Sequence, residues 1–331
     1  MWKHQTHVRG GQMAKRMLQL LVMVFMVALA SHQARAADLV TMIVPFPPGG
    51  TSDVLARPLA ADLAKALGVT MIVDNKPGAA GNIGAQALAR SKPDGNTLLF
   101  TAAAISVAPA LHSDPGFKLF DQIQPVSVVG TVPFMLVVKK GIPANSAKEF
   151  FDYVRQNPGK LNLGSGGTGT IVHLAGELLK QRTGLEFTHI PFRGGALAMQ
   201  DIVAGHVDFT IDGGPHVVTQ IEAGTVKLLA VATSQRLAAY PDVPTIAESG
   251  VPGFEATAWQ ALFIRAGTAP DMVEKLNREV AASIAAPANR ERLLKLGVLP
   301  VASSVKDTER FVRDEVAKWG EVVRAAKVTA N

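Results

Sequence analysis

Val40-Thr41-Met42-Ile43-Val44-Pro45-Phe46-Pro47-Pro48-Gly49-Gly50-Thr51-Ser52-Asp53-Val54-Leu55 decides the fold. A short apolar run, Val40–Pro45, stops at a proline- and glycine-rich turn. Helical spacing then takes over, with Val54, Leu55, Leu59, Leu63 and Leu67 recurring along Asp53–Leu67. Gly68 supplies the left-handed residue that ends such a helix. Strand, tight turn and helix in that order are the unit of an α/β sheet.

The same alternation continues outward. Met71–Asp74 reads as a strand, Pro77–Gly81 as a turn, Ile83–Ser91 as a helix and Leu98–Ala103 as a strand, which completes βαβαβ. A second series follows, with strands at Val126–Gly130, Met135–Val138, Leu161–Gly164, Phe187–Pro191, Val207–Asp212 and Leu228–Thr233. Between and after them lie helices at Ser146–Asn157, from the Gly-rich turn through Lys180, at Ala196–Ala204 and at His216–Ala223. Three more are expected at Pro270–Ala285, Ala288–Leu296 and Val305–Ala326. Abundant Ala, Val, Leu and Gly with few aromatics favours buried parallel strands with helices packed over them, as doubly wound sheets. No low-complexity linker or short tandem repeat interrupts the pattern.

The N-terminus reads as an export signal. Lys15 and Arg16 precede an apolar stretch to Ala30, and Ala34-Arg35-Ala36 offers a small-x-small cleavage pattern. The stretch is about half the length needed to span a bilayer. Residues 1–36 are therefore expected to be a signal peptide cut after Ala36, with Met13 as an alternative start. They hold five of the 33 basic residues (Lys3, Arg9, Lys15, Arg16, Arg35) and no acid, so 28 bases face 27 acids in the rest. The overall basic charge belongs to the leader and gives no argument for nucleic acid. The absence of cysteine excludes disulfides, thiolate metal sites and cysteine nucleophiles.

Two strand–turn–helix junctions carry the candidate chemistry. One is Phe46–Asp53; the other is Gly164-Ser165-Gly166-Gly167-Thr168-Gly169-Thr170, followed by Ile171-Val172-His173. Glycines let the backbone approach a ligand, and helix-start N–H groups aim the positive end of the dipole at it. Each is equally readable alone as a tight turn with a capping residue; the pair together suggests an anion clamp. Gly164–Gly169 satisfies GxGxxG, but the following strand ends Pro191-Phe192-Arg193 without the acid that holds a ribose, so a nicotinamide cofactor is not expected. Neither GxSxG nor HExxH occurs, and no cofactor or metal site is read. Asp208, Asp212 and His216 invite a metal reading, but a strand and the turn Gly213-Gly214-Pro215 separate them. Asp212 serves either as a ligand contact or as a turn cap. His173 reads as a packing residue or a cleft residue, and Asp53 as a helix N-terminal acid before a base.

With these motifs in place, the chain resembles the Bug family, periplasmic receptors associated with tripartite tricarboxylate transporters. The likeness runs from Leu39 to the last helix and rests on VPFPPGGTSD (44–53), VDNKPGAAGNIGA (73–85), KPDGNTLLF (92–100) and GSGGTGTIVHLAGELLK (164–180). IPFRGGALAMQDIVAGHVDFTID (190–212), PDVPTIAESGVPGFEATAW (241–259) and RAGTAP (265–270) extend it in consistent order. The resemblance implies a two-lobed Venus-flytrap protein without catalytic activity. It would take a small organic carboxylate, held largely by main-chain N–H groups and bridging waters, and deliver it to membrane permease subunits. It also implies a monomer with residues 37–132 plus 255–331 as one lobe and 133–254 as the other, hinged near Thr131–Pro133 and Pro252–Ala256.

Carried over by position, Phe46, Gly49, Gly50, Thr51 and Asp53 form the first binding loop, with Ala80 and Gly81 in the adjoining turn. Ala102 and Ala103 end the third strand. Ser165, Gly166, Thr168, Gly169, Thr170 and His173 form the facing loop, and Arg193, Gly194, Gly195 and Asp212 line the second lobe. The loop after Leu98–Phe100, Thr101-Ala102-Ala103-Ala104-Ile105-Ser106, is poorer in hydroxyls than is usual for the family, which implies a less polar distal ligand end than an amino dicarboxylate. An exported α/β enzyme using Thr170, His173 and Asp212, and a ligand-sensing signalling receptor, are the alternative readings.

Overall fold

The structure, a computed structural model, describes residues 39–329, so the expected signal peptide lies outside the described residues. The chain opens with β1 (Leu39–Val44), whose alternating side chains serve two cores. Met42 and Val44 pack with Leu55, Leu59 and Leu63 of α1 (Thr51–Leu67), while Ile43 joins Leu88, Leu99 and Trp259 on the opposite face. Gly68 ends α1 at φ 70°, its N–H returning to the Ala64 carbonyl. Next come β2 (Thr70–Asn75), a 3₁₀ turn at Ala79–Gly81, α2 (Asn82–Ala89) and β3 (Thr97–Ala102). β1 pairs in parallel with both β2 and β3.

α3 (Ala104–Leu111) follows directly, where the sequence had suggested a loop; the alanine-rich segment carries Pro109 yet buries Ile105, Val107 and Ala108. β4 (Ile123–Pro133) then leads through Phe134 into β5 (Met135–Lys139). A second set of elements comprises α4 (Ala147–Gln156), β6 (Asn162–Ser165), α5 (Ile171–Thr183), β7 (Thr188–Pro191) and α6 (Gly195–Ala204). It closes with β8 (Phe209–Asp212), α7 (Pro215–Glu222) and β9 (Val226–Val231). The chain returns in β10 (Thr257–Arg265), then α8 (Pro270–Ala285), α9 (Pro287–Lys295), β11 (Leu299–Pro300) and α10 (Val305–Ala326).

Two sheets result, ordered β11-β4-β10-β3-β1-β2 and β7-β6-β8-β5-β9. Both are mixed. β10 runs antiparallel to β3 and β4, and β5 antiparallel to β8 and β9, because those strands carry the chain between the sheets. The passages are bonded to each other: Ala232 N–H donates to Phe134 O (2.7 Å), Ala256 N–H to Ala232 O (2.9 Å), and Thr257 faces Pro133 in register. α10 is fixed to β10 by one buried carboxylate, Glu315, which accepts from the indoles of Trp259 (3.0 Å) and Trp319 (2.9 Å) and pairs with Lys318.

Candidate ligand-binding site

The loop before α1 is held from behind. Gly49 sits at φ 79°, and its N–H donates to Asp53 Oδ2 (2.9 Å). The same carboxylate accepts from Arg57 Nε (3.0 Å), Arg57 Nη2 (2.7 Å) and Asn75 Nδ2 (2.9 Å), while Asn75 also reaches Phe46 O (3.1 Å). The Arg57 hydrogen bonds, helped by Gly49 and Asn75, hold the Asp53 carboxyl down at about 2 against the desolvation of burial. Asp53 is thus a buried anchor of the loop.

The second junction repeats this device with other chemistry. Thr170 caps α5 by accepting from His173 N–H (3.3 Å), and His173 Nδ1 accepts from Gly169 N–H (3.0 Å). The buried His173 ring stacks on His189 at 3.7 Å between centroids, and His189 Nε2 lies 2.6 Å from Ser165 Oγ. Burial foremost, then the positive field of Lys180, pushes His173 down to about 4; burial and the neighbouring His173 do the same to His189. Ser165 also accepts from Gly167 N–H (3.1 Å). Asp53 and His173 each occupy the third helical position and reach back to the N–H two residues outside the helix, as Glu149 does to Asn145 N–H (2.8 Å) at the start of α4. This is a relative of the capping box, in which the third residue satisfies an orphan donor.

Between the sheets lies a cavity of about 300 Å³. The first residue of each of four helices lines it: Thr51 of α1, Ala104 of α3, Ile171 of α5 and Pro215 of α7. Each helix start leaves N–H groups without intrahelical acceptors and carries roughly half a positive charge. The walls between are apolar, with Phe46, Val132, Phe134 and Leu296 prominent. Five polar side chains stand among them: Thr51, Thr170, Asp212, His216 and Gln260. Asp212 accepts from Gly213 N–H (2.7 Å) and faces His216 Nε2 across 3.1 Å, and buried Gln260 accepts from Ser52 Oγ (2.9 Å).

Of the residues singled out from sequence, Phe46, Thr51, Ala102, Ala103, Thr170 and Asp212 line this cavity. Gly49, Gly50, Gly166, Thr168 and Gly169 are not in its lining but belong to the loops that lead into α1 and α5. Asp53, Ser165 and His173 turn inward to hold those loops. Ala80 and Gly81 sit in the 3₁₀ turn, where Gly81 lies beside the Phe46 and Pro45 rings. Gly194 and Gly195 open α6 against Gly166, and Arg193 is exposed beside them. Thr101 is buried within β3 and Ser106 Oγ donates to Ala103 O (2.6 Å), so neither hydroxyl lines the cavity.

His216 and Gln260 were missed as site residues. His216 follows Gly213-Gly214-Pro215 at the second position of a helix, a signal that was present but read only as part of a metal trio. Asp212 and His216 do meet, whereas Asp208 pairs with Lys139 (2.7 Å) and accepts from Asn162 N–H (2.7 Å). Among the described residues no cluster of three or more His, Asp or Glu is placed to hold a metal ion.

The sequence matches the family described as TctC, tripartite tricarboxylate transporter family receptor, over residues 55–328. The chain belongs to this family. Protein BugT of Bordetella pertussis (strain Tohama I) is 36% identical over 287 residues, spanning 86% of this chain and 88% of that protein. Among solved structures, R. palustris Rpa4515 with adipate is 36% identical, covers 88% of this chain and 98% of its own, and superposes with a TM-score of 0.75. MatC from Rhodopseudomonas palustris with bound malate is 33% identical, with coverages of 86% and 98% and a TM-score of 0.71. These TctC and Bug relatives are solute-binding proteins, and this chain is a binding protein of the same kind, not an enzyme. No described helix is long and apolar enough to cross a membrane.

Proposed function

We propose that this chain is an exported receptor that captures a small dicarboxylate between its two sheets and presents it to membrane permease subunits of a tripartite tricarboxylate-type transporter. The observation that carries the reading is the convergence of four helix starts on one cavity. Their combined positive field exceeds the single negative charge of Asp212, which is itself met by Gly213 N–H and His216. The apolar stretch of wall suits methylenes between two carboxylates, and the volume lies at the small end of ligand pockets, roughly 300–1,000 Å³. Adipate and malate in the relatives fit the same chemistry.

Residues 37–132 with 255–331 form one lobe of this reading and 133–254 the other, so that the bonded passages beside Phe134 and Ala256 act as the hinge. Ligand bridging both lobes favours the closed arrangement by its differential affinity for it. The cut leader would place the receptor in the periplasm.

Thermal unfolding of residues 37–331 against mono-, di-, tri- and aromatic carboxylates tests the reading, with NAD and divalent metals as controls. A saturable rise in midpoint with dicarboxylates is expected, because bound ligand stabilises by RT ln(1 + [L]/Kd). A shift with NAD or a metal, and none with any acid, would overturn it. Co-purification with the permease subunits in the presence, but not the absence, of the stabilising acid tests delivery.

A further inference from the structure

His216 stands between two cavities. One is the central cleft; the other, a solvent-open groove of about 260 Å³, lies between α6 and α7 and is lined by buried Met199 and by Gln200, Thr219 and Gln220, with Pro215 and His216 common to both. The imidazole is pinned. Its Nε2 meets Asp212 Oδ2 at 3.1 Å, and that carboxylate is fixed by Gly213 N–H at 2.7 Å. On the other side α6 closes in, for a Cβ on Gly195 would fall 2.6 Å from Asp212 Oδ2 and 2.7 Å from His216 Nε2. A ring bonded on one edge and backed by a helix start forms a fixed partition, unlike a freely rotating surface histidine.

We propose that His216 is the end wall of the ligand site and sets the longest diacid the receptor accepts, with Asp212 as its positioning residue. This rests on the dicarboxylate reading above. With the ring in place, a ligand anchored at the α1 and α5 starts ends against the imidazole, and a longer chain collides with it. Without the ring, the cleft opens into the α6–α7 cavity. The amides of Gln200 and Gln220 and the hydroxyl of Thr219 would then receive a distal carboxylate, and Met199 the added methylenes. Each methylene buried there strengthens binding about fourfold, the equivalent of about 0.8 kcal/mol.

The test is isothermal titration of straight-chain α,ω-dicarboxylates, from four to ten carbons, into wild type, His216→Ala, and His216→Ala combined with Gln200→Trp to fill the second groove. Wild type is expected to bind short members and lose affinity abruptly beyond a limiting length. His216→Ala should move that limit to longer chains, and the refilled double variant should move it back. Unfolding melts of each protein establish that it is folded, and Asp212→Asn, which keeps the shape but frees the ring, should blur the cut-off with less effect on the shortest acid. An unchanged limit in folded His216→Ala that still binds short diacids would overturn the end wall while leaving the dicarboxylate reading intact. Failure of wild type to bind any member would sink that reading, and the end wall with it.

Discussion

Replacing Asp53 by alanine removes no atom from the cavity wall, yet it should weaken ligand binding. The carboxylate accepts four hydrogen bonds, from Gly49 N–H, two Arg57 nitrogens and Asn75, and together they hold the loop from Phe46 to Gly50 in place. A carboxyl held at about 2 instead of 3.8 corresponds to at most about 2.4 kcal/mol of folded-state stabilisation at neutral pH. Arg57 is half exposed, so solvent screening reduces this to about 1–2 kcal/mol. The pKa is lowered in the folded state, so the contribution is complete above 3.8 and disappears as pH falls through about 2. Urea unfolding at pH 7 should therefore show Asp53→Ala less stable by about 1–2 kcal/mol, the two proteins converging in strong acid.

The same anchor orders the loop for binding, and the apparent Kd rises as the competent fraction falls. A loss of about 1.4 kcal/mol of loop order corresponds to roughly tenfold weaker binding by calorimetry. Asp53→Asn, which keeps one acceptor for Gly49 but loses the charge, should fall between. Unchanged affinity in a variant destabilised as expected would refute the idea that loop order, as distinct from global stability, governs binding.

Three further outcomes follow from the geometry. Glu315→Ala strands two buried indole N–H groups at about 1–3 kcal/mol each, so the urea midpoint should drop by the equivalent of about 3 kcal/mol; Glu315→Gln, which retains an acceptor, should recover part of it. Gly213→Ala puts a Cβ 2.2 Å from the Pro133 carbonyl oxygen, where backbone and not a flexible side chain must yield, and should cost more than about 2 kcal/mol or abolish soluble expression. His173 and His189 are lowered to about 4 from 6.5, so the folded protein binds fewer protons than the unfolded chain in that window. Stability is full above about pH 6.5 and declines, on the order of 2 kcal/mol for the coupled pair, as pH falls to 4. A His173→Asn, His189→Asn protein should show a flatter melting-temperature profile over the same range.

The alternation of strands and helices was legible because apolar period and glycine punctuation change together at each junction, as at Gly49-Gly50 and Gly68. β10 was not: Thr257–Arg265 is apolar nearly throughout and follows a long connection, so no alternation announced it. Without β10 the six-stranded sheet reads as parallel but for the short β11, since antiparallel pairing of β10 with β3 and β4 makes it mixed; β5 does the same for the five-stranded sheet. The four helix starts of the cavity were half visible, through the two glycine junctions. α3 starts on plain alanines, and its N-terminus lines the cavity only because β3 leads directly into it.

Polar residue type alone did not decide between holding a loop and lining the cavity, although the sequence favours Asp53 first as a helix N-terminal acid and leaves His173 as a packing or a cleft residue. Asp53 and His173 have the chemistry of ligand contacts but sit at the third helical position, where the side chain folds back over the entering loop. His216 sits at the second position and faces the cavity. One residue of helical register, about 100° of rotation, separates an anchor from a contact.

Of the three tryptophans in the sequence, Trp2 falls within the expected leader. The remaining two, Trp259 and Trp319, donate to the same carboxylate oxygen, and Trp259 lies in sequence between the cavity residues Ala258 and Gln260. Among the described residues the two indoles therefore form a native optical gauge: both emitters share one buried acceptor, one strand position from the cavity lining. Any shift of β10 against α10 changes the environment of both indoles together, so occupancy can be followed by intrinsic emission in dilute solution, without a label and with solutes that neither absorb nor fluoresce.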